Sequence, residues 1–274
     1  MSGSGIATSW DTYAFNKQVQ GKTMSFISVE FNGTTAILEL CRQTTNAINH
    51  PLVKELSAVL QDLRSNDEIH SLVLTSDNEK FFSIGLDIPQ LYGLTREDFQ
   101  HFYHDFNQVC IDLLSFPKPT IAAITGHAIA GGCILTLCCD YRIIAEGRKF
   151  IGLNEVKLGV PVPFPAACVL PYIVGYQNAR EMMYTGDFYS PEHADSMGLV
   201  DEVVPIQQVR SRSIEKAASL SAGEALAIAE IKKSHIEPIK LQIEKQLDEK
   251  DGYFIDRWYA DETRTNLKQA MEKF

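Results

Sequence analysis

The sequence has little positive charge for its size. Its 274 residues include 25 Lys and Arg against 35 Asp and Glu, which gives a formal net charge of −10. Nucleic-acid binding depends on clustered Lys and Arg side chains that neutralise phosphates, so this balance argues against a nucleic-acid partner. A hydrophobic content of 45% is typical of a globular chain that can bury a sizeable core. We expect one domain, or one domain with a small appendage.

Paired cysteines and recognisable targeting signals are also lacking. The six cysteines form no CxxC pair and no zinc-type spacing with the seven histidines, so we predict no metal site. Most of the cysteines lie in apolar runs, which indicates buried free thiols in a reducing compartment. The first residues show no basic region followed by an apolar one, and the last show no peroxisomal or retention signal. We therefore expect a cytoplasmic protein.

Long apolar runs without a break are absent as well. Residues 121–139 carry no charged side chain and approach the roughly 20 residues that a membrane-spanning helix needs. However, Pro117 and Pro119 precede this stretch, and Gly131-Gly132 interrupts it. We predict a strand, a glycine-rich turn and a buried helix here, and no membrane span.

What the sequence does contain is an alternation of strand and helix signals up to about residue 204, followed by helix signals alone. A hairpin is predicted at Asn32-Gly33, and residues 140–152 are predicted to be strands around a turn. We assign residues 1–24 to a flexible arm, residues 25–204 to a core domain, and residues 205–274 to a helical oligomerisation region. The amphipathic helices of this last region are expected to have no core of their own to cover.

Two predicted strand-to-helix turns contain glycine, one in FSIGLDI (82–88) and one in AGGCIL (130–135). Glycine in such a turn can serve close packing or a positive φ. It can also let a ligand oxygen approach the unpaired N–H groups at the start of a helix. Two such N–H groups aimed at one oxygen would form an oxyanion hole.

The order and spacing of four segments resemble the crotonase (enoyl-CoA hydratase/isomerase) superfamily: FSIGLDI, KPTIAAITGHAIAGGCILTLCCDYRI, FIGLNEVKLGV and MGLVDEVVP. The resemblance covers about residues 26–270. It implies an α/β protein with the crotonase (ClpP-like) fold, a spiral of ββα units with a C-terminal helical trimerisation region. A homotrimer or a dimer of trimers is therefore expected.

The resemblance also implies the ligand and the residues around it. The substrate would be an acyl-CoA thioester whose oxygen lies between the backbone N–H groups of Leu86 and Gly131, with no cofactor besides the CoA of the substrate itself. Trp258 lies in the tail that in the family covers the adenine, often from a neighbouring subunit. For His127, substrate contact and simple packing are both open. The residues expected around the substrate are Ile84, Gly85, Asp87, His127, Gly132, Ile134, Pro163, Phe164 and Trp258.

The glutamate pattern distinguishes members of this superfamily. Its hydratases use two glutamates, and here the first position is Ile134 while the second is Glu155. A single base beside an apolar wall suits the shift of a double bond, in which one carboxylate takes a proton from C2 and returns it at C4. The segments around both positions look most like the mitochondrial-type Δ3,Δ2-enoyl-CoA isomerases. Burial beside Ile134 is expected to raise the pKa of Glu155.

Other functions stay open at this point. A thioester decarboxylase of the same superfamily also needs an oxyanion hole and can dispense with the first glutamate, although Ile134 and the apolar segment 161–167 argue against it. An enoyl-CoA hydratase is a second alternative, and a non-catalytic acyl-CoA or RNA-binding relative is a third. Family lysines near the CoA phosphates are replaced by residues 43–45 (QTT) and 88–90 (IPQ). The carrier could therefore be CoA held elsewhere or the pantetheine of a carrier protein.

Overall fold

The computed structural model describes residues 26–272, and the predicted N-terminal arm lies outside them. The described residues form ten strands and ten helices. The strands are β1 (Ile27–Asn32), β2 (Thr35–Leu40), β3 (Ser71–Ser76), β4 (Phe81–Ser83), β5 (Thr120–Ile124), β6 (His127–Ile129), β7 (Tyr141–Ala145), β8 (Ile151–Gly152), β9 (Phe188–Tyr189) and β10 (Glu202–Val204). The helices are α1 (His50–Arg64), α2 (Ile88–Tyr92), α3 (Arg96–Leu114), α4 (Gly131–Leu137), α5 (Glu155–Leu158), α6 (Phe164–Thr185), α7 (Pro191–Ser196), α8 (Ile206–Leu220), α9 (Ala225–Trp258) and α10 (Asp261–Met271).

The strands are divided between two sheets. The larger sheet has the order β1-β2-β3-β5-β7-β10 and the smaller one β4-β6-β8-β9. From β3 to β8, consecutive strands alternate between the larger and the smaller sheet, and helices separate one pair from the next. This repeated strand–strand–helix unit confirms the predicted crotonase spiral. Residues 140–152 contain two strands around a turn, as predicted, and these strands, β7 and β8, belong to different sheets.

Local sequence explains several element boundaries. Gly33 takes a φ of 57° and allows β1 to return antiparallel to β2, as the hairpin signal predicted. The side chain of Asn49 caps α1 by accepting the N–H of Leu52 at 3.1 Å, and that of Thr95 caps α3. Residues 121–139 form most of β5 together with β6 and α4, in line with the expected strand, turn and buried helix. Within residues 26–272, no helix is both long and apolar enough to cross a membrane.

The C-terminal helices pack on their own chain. In α8, Val209 and Ala217 belong to an apolar cluster on the larger sheet. The second half of α9 contributes Ile243, Phe254 and Trp258 to the main core, and α10 contacts α2 and α5. This packing differs from the expectation that these helices have no core of their own to cover. Their predicted role in a homotrimer or dimer of trimers, and the division at residue 204, stay predictions.

Candidate active site

A central cavity of about 690 Å³ lies where the two glycine turns meet α5 and the C-terminal helices. Its walls are mainly apolar and come from residues far apart in the chain. They include Leu86, Ile134, Val160, Pro163, Phe254 and Trp258. A cavity of this size and character is typical of a small-molecule site.

In the first turn, the N–H of Leu86 points away from the neighbouring segment, which contains Ile48. Ile48 donates its N–H to Gly85 O at 2.7 Å and accepts the N–H of Asp87 at 2.9 Å. Gly85 and Asp87 are thus both bonded to Ile48 in a parallel bridge. The residue between two such bonded residues has its own N–H and C=O on the side that faces away from the bridge. Leu86 is that residue, and it lines the central cavity. Its N–H has no acceptor among residues 26–272.

The second turn supplies another N–H at the start of α4. Gly131 is the first residue of that helix, so its N–H has no intrahelical partner. The preceding residue, Ala130, has φ 48° and ψ −119°, a strained conformation for a residue with a Cβ. The two turns touch, because a Cβ added to Gly85 would lie 2.8 Å from Gly131 N. The N–H groups of Leu86 and Gly131 therefore start from adjoining backbone and border one cavity.

Some residues predicted around the substrate make structural contacts, and their contact with substrate stays a prediction. A Cβ on Gly132 would lie 2.3 Å from Ser83 O, so this glycine permits close packing. The carboxylate of Asp87 lines the cavity but pairs with Arg42 at 2.6 Å and caps α2 at Gln90 N. Neither Gly85 nor Phe164 is among the described residues that line the cavity.

Glu155 is a buried carboxylate on the cavity wall. It is the first residue of α5 and is 5% exposed, while Ile134, on the same wall, is fully buried. Burial raises the pKa of Glu155 to about 7, although the backbone N–H groups of Glu155 and Asn154 lower it somewhat. Its Oε2 atom has no hydrogen-bond partner among the described residues. Such a group can accept and release a proton near neutral pH.

Comparison with known proteins identifies the family. Residues 30–274 match the family model described as enoyl-CoA hydratase/isomerase. The chain belongs to this family.

Relatives include both isomerases and hydratases. A mouse protein named mitochondrial enoyl-CoA delta isomerase 1 is 32% identical over 68% of this chain, which spans 65% of the mouse protein's length. A crotonyl-CoA hydratase of Syntrophomonas wolfei is 29% identical over 90% of this chain and 95% of its own. The crystal structure of human mitochondrial delta3-delta2-enoyl-CoA isomerase superposes with a TM-score of 0.88 at 27% identity, covering 91% of this chain and 98% of that one.

In this member of the enoyl-CoA hydratase/isomerase family, Trp258 lies in the wall of the chain's own cavity. It is 1% exposed and stacks on Phe99 with ring centroids 4.4 Å apart. Its neighbour along α9, Phe254, lines the same wall. The expected place of this tail over the adenine of the substrate stays a prediction. Phe99, in α3, is fully buried against Trp258.

His127 both packs and lines the cavity. Its ring stacks on Phe150 and lies 5.4 Å from the ring of Phe81. The pKa of His127 is lowered, first by burial and then by Lys149 and Lys80, so the neutral imidazole is favoured. Because Nδ1 accepts the N–H of Phe150 at 2.9 Å, the proton of the neutral ring lies on Nε2.

Sequence reasoning missed several wall residues: Leu158, Val160, Phe254, Ala270 and Met271. The helical spacing of Phe254 and Trp258 could have indicated that both face one side of α9. No sequence signal shows that α10 returns to the cavity.

The raised pKa of Glu155 predicts a pH-dependent stability difference between the wild type and Glu155→Gln. The pKa is about 7 in the folded protein against an ordinary value of 4.5, so proton binding stabilises the wild type fully at a pH below 4.5. That stabilisation is lost as pH rises through about 7, whereas the Gln side chain does not titrate. We expect the difference in melting temperature, Glu155→Gln minus wild type, to grow as the pH rises from 4.5 to about 7 and then to level off. Scanning calorimetry at a series of pH values measures it.

Asp251 also has a pKa raised to about 7, mainly by burial. Because it is present in both proteins, its contribution cancels in the difference. A pH-independent difference in melting temperature would contradict the burial of an ionisable Glu155.

Proposed function

We propose that the protein is an enoyl-CoA isomerase that moves the double bond of a 3-enoyl thioester to the 2-position. The observation that carries this proposal is the single available carboxylate of the central cavity. Glu155 has no cationic partner among the described residues and shares the cavity with Ile134. The other carboxylate of the wall, Asp87, is paired with Arg42. The isomerases among the relatives support the same assignment.

The proposed reaction uses the residues as follows. Glu155 removes a proton from C2, and the thioester oxygen of the resulting dienolate accepts hydrogen bonds from Leu86 N–H and Gly131 N–H. Glu155 then returns the proton at C4. A pKa of about 7 suits a group that must accept and release a proton in one turnover. The apolar wall at Ile134 disfavours a water molecule that would attack the double bond.

Decarboxylation is less well supported. Loss of CO₂ needs a polar or basic pocket for the departing carboxylate. Among the described wall residues, Arg42 is the only Arg or Lys, and Asp87 already pairs with it at 2.6 Å. Hydration is the second candidate, because the relative named crotonyl-CoA hydratase aligns over most of this chain. The absence of a second glutamate at position 134 argues against it.

The carrier and the compartment stay proposals. We propose CoA as the carrier and no cofactor besides it, with a carrier-protein pantetheine as the alternative. A cytoplasmic location also stays a prediction.

A substrate panel tests the proposal. We expect the purified protein to convert a 3-enoyl-CoA to the 2-enoyl isomer, to form little 3-hydroxyacyl product from a 2-enoyl-CoA, and to release no CO₂ from a malonyl-type thioester. Chromatography with mass detection reads all three. With substrate deuterated at C2, part of the label should appear at C4, since one carboxylate performs both transfers. Label at C4 would support transfer by one carboxylate, and rapid hydration of the 2-enoyl thioester would contradict the proposed isomerase.

A further inference from the structure

Two functional groups of the proposed site lie in or just before a short helix. Glu155 is the first residue of α5, which has four residues. Leu86 lies just before α2, which has five. A helix of about one turn has no stability of its own in water. The positions of α5 and α2 therefore depend on the contacts that other elements make with them.

The C-terminal end of α5 is bound by α9 and α10. Gly159 ends α5 with a φ of 91°, and its carbonyl accepts from Thr263 Oγ1 at 3.1 Å and from Arg257 Nε at 3.3 Å. A Cβ on Gly159 would lie only 2.7 Å from Thr263 Oγ1. Thr263 is fully buried. These bonds satisfy a carbonyl that a helix end leaves without an intrahelical partner.

The C-terminal end of α2 is bound by the next residue of α10. Arg264 Nη2 donates to the carbonyl of Tyr92, the last residue of α2, at 2.8 Å. The same guanidinium lies 3.3 Å from the centre of the Tyr92 ring, a cation–π contact. Leu86 is in turn held by its bridge to Ile48. A continuous series of contacts thus runs from Leu86 through α2 and α10 to Glu155.

We propose that Thr263 and Arg264 are positioning residues that fix the Glu155 carboxylate relative to the Leu86 N–H. Because the two residues are adjacent in α10, a displacement of the C-terminal end of α2 is transmitted to that of α5 through this turn of α10. Proton transfer at C2 and C4 depends steeply on the position of the base, whereas the oxyanion contacts depend on turns that Ile48 and Gly85 hold independently. The inference rests on the proposed function, since turnover of a 3-enoyl thioester is its main readout.

The first experiment removes one hydrogen bond. Thr263→Val keeps the shape of the side chain and deletes the donor to Gly159 O. We expect kcat for a 3-enoyl-CoA to fall by about 10-fold, because a misplacement of about 1 Å can cost about 10² in rate. KM should change little, and Thr263→Ser should restore kcat. Thr265→Val is the matched control, because Thr265 is exposed and bonds only within its own helix, to Asp261 O.

The second experiment releases α10 from α2, whose Leu86 end stays bonded to Ile48. Arg264→Gln should also lower kcat with little change in KM, and Lys268→Gln, an exposed residue one turn later on α10, should not. In both Thr263→Val and Arg264→Gln, the infrared carbonyl stretch of a bound saturated acyl-CoA should match the wild type, because the oxyanion donors stay in place. A variant that had lost its structure in general would also change this carbonyl stretch, so the measurement separates misplacement of Glu155 from unfolding.

A double-mutant cycle separates the inference from the function on which it rests. If Thr263 acts through Glu155, Thr263→Val should not lower the residual turnover of Glu155→Gln any further. The positioning role would be overturned if the effects of Thr263→Val and Glu155→Gln on kcat were fully additive. It would also be overturned if Thr263→Val and Arg264→Gln had the same kcat as their control variants. Wild-type turnover by Glu155→Gln alone would instead overturn the proposed function. Should Thr263→Val fail to fold, the same cycle with Arg264→Gln decides the question.

Discussion

Glu155→Gln is expected to lower turnover of a 3-enoyl-CoA by about 10²–10⁴, the contribution typical of general acid–base catalysis. Glutamine has nearly the size of glutamate and retains hydrogen-bonding capacity, but it cannot accept the C2 proton. The loss should appear in kcat, measured by following formation of the conjugated 2-enoyl thioester. Binding of a saturated acyl-CoA should be almost unchanged, because the N–H groups of Leu86 and Gly131 remain.

Asp251→Asn is the matched control for this variant. Asp251 is also buried, at 7% exposure, and its pKa is likewise raised to about 7. However, it accepts a hydrogen bond from Asn107 Nδ2 at 2.8 Å and is not among the described wall residues. Most of the turnover should survive in Asp251→Asn. Equal losses in the two variants would indicate a general effect of a buried charge rather than base catalysis by Glu155.

Gly131→Pro is expected to lower kcat by about 10²–10³, the effect of losing one oxyanion donor. Gly131 is the first residue of α4, where proline breaks no intrahelical bond, so the change is directed at the N–H itself. The infrared carbonyl stretch of a bound acyl-CoA should move toward its value in solution. Steady-state kinetics and infrared difference spectra measure the two effects.

Gly131→Ala is the control, because it keeps the N–H and adds only a methyl group. That methyl would lie 3.1 Å from Ile48 Cδ1 and 3.2 Å from Gly85 Cα, so a smaller loss from crowding is expected. A folded Gly131→Pro variant, checked by its melting temperature, that turned over at the wild-type rate would refute the role of this N–H.

The sequence predicts the parts of the site that depend on local chemistry. The glycine turns, the lone glutamate and the alternation of strands and helices are local patterns, and the fold contains each of them. The pKa of Glu155 is raised by burial, as expected. The local sequence could not show whether a given glycine exposes its N–H to a ligand or permits close packing. Gly131 and Gly132 are adjacent, yet only Gly131 lines the cavity.

The parts that depend on tertiary contacts could not be predicted. The pairing of Asp87 with Arg42 joins residues 45 positions apart, and nothing near either residue indicates the other. The amphipathic pattern of α10 shows that the helix must cover an apolar surface. It does not show whether that surface belongs to the same chain or to another subunit. We expected that surface to belong to another subunit, whereas Leu267 is buried in this chain's own core.

The return of α10 to the central cavity has a consequence for the synthesis of the protein. Ala270 and Met271 line the cavity, and they leave the ribosome after every other described residue of its wall. Until then the wall of the cavity is incomplete, so the nascent chain has the catalytic glutamate proposed above but not the finished cavity around it. Proteolytic trimming behind Trp258 would remove the same two wall residues from the finished protein, so an intact C-terminal helix becomes a condition for a complete cavity.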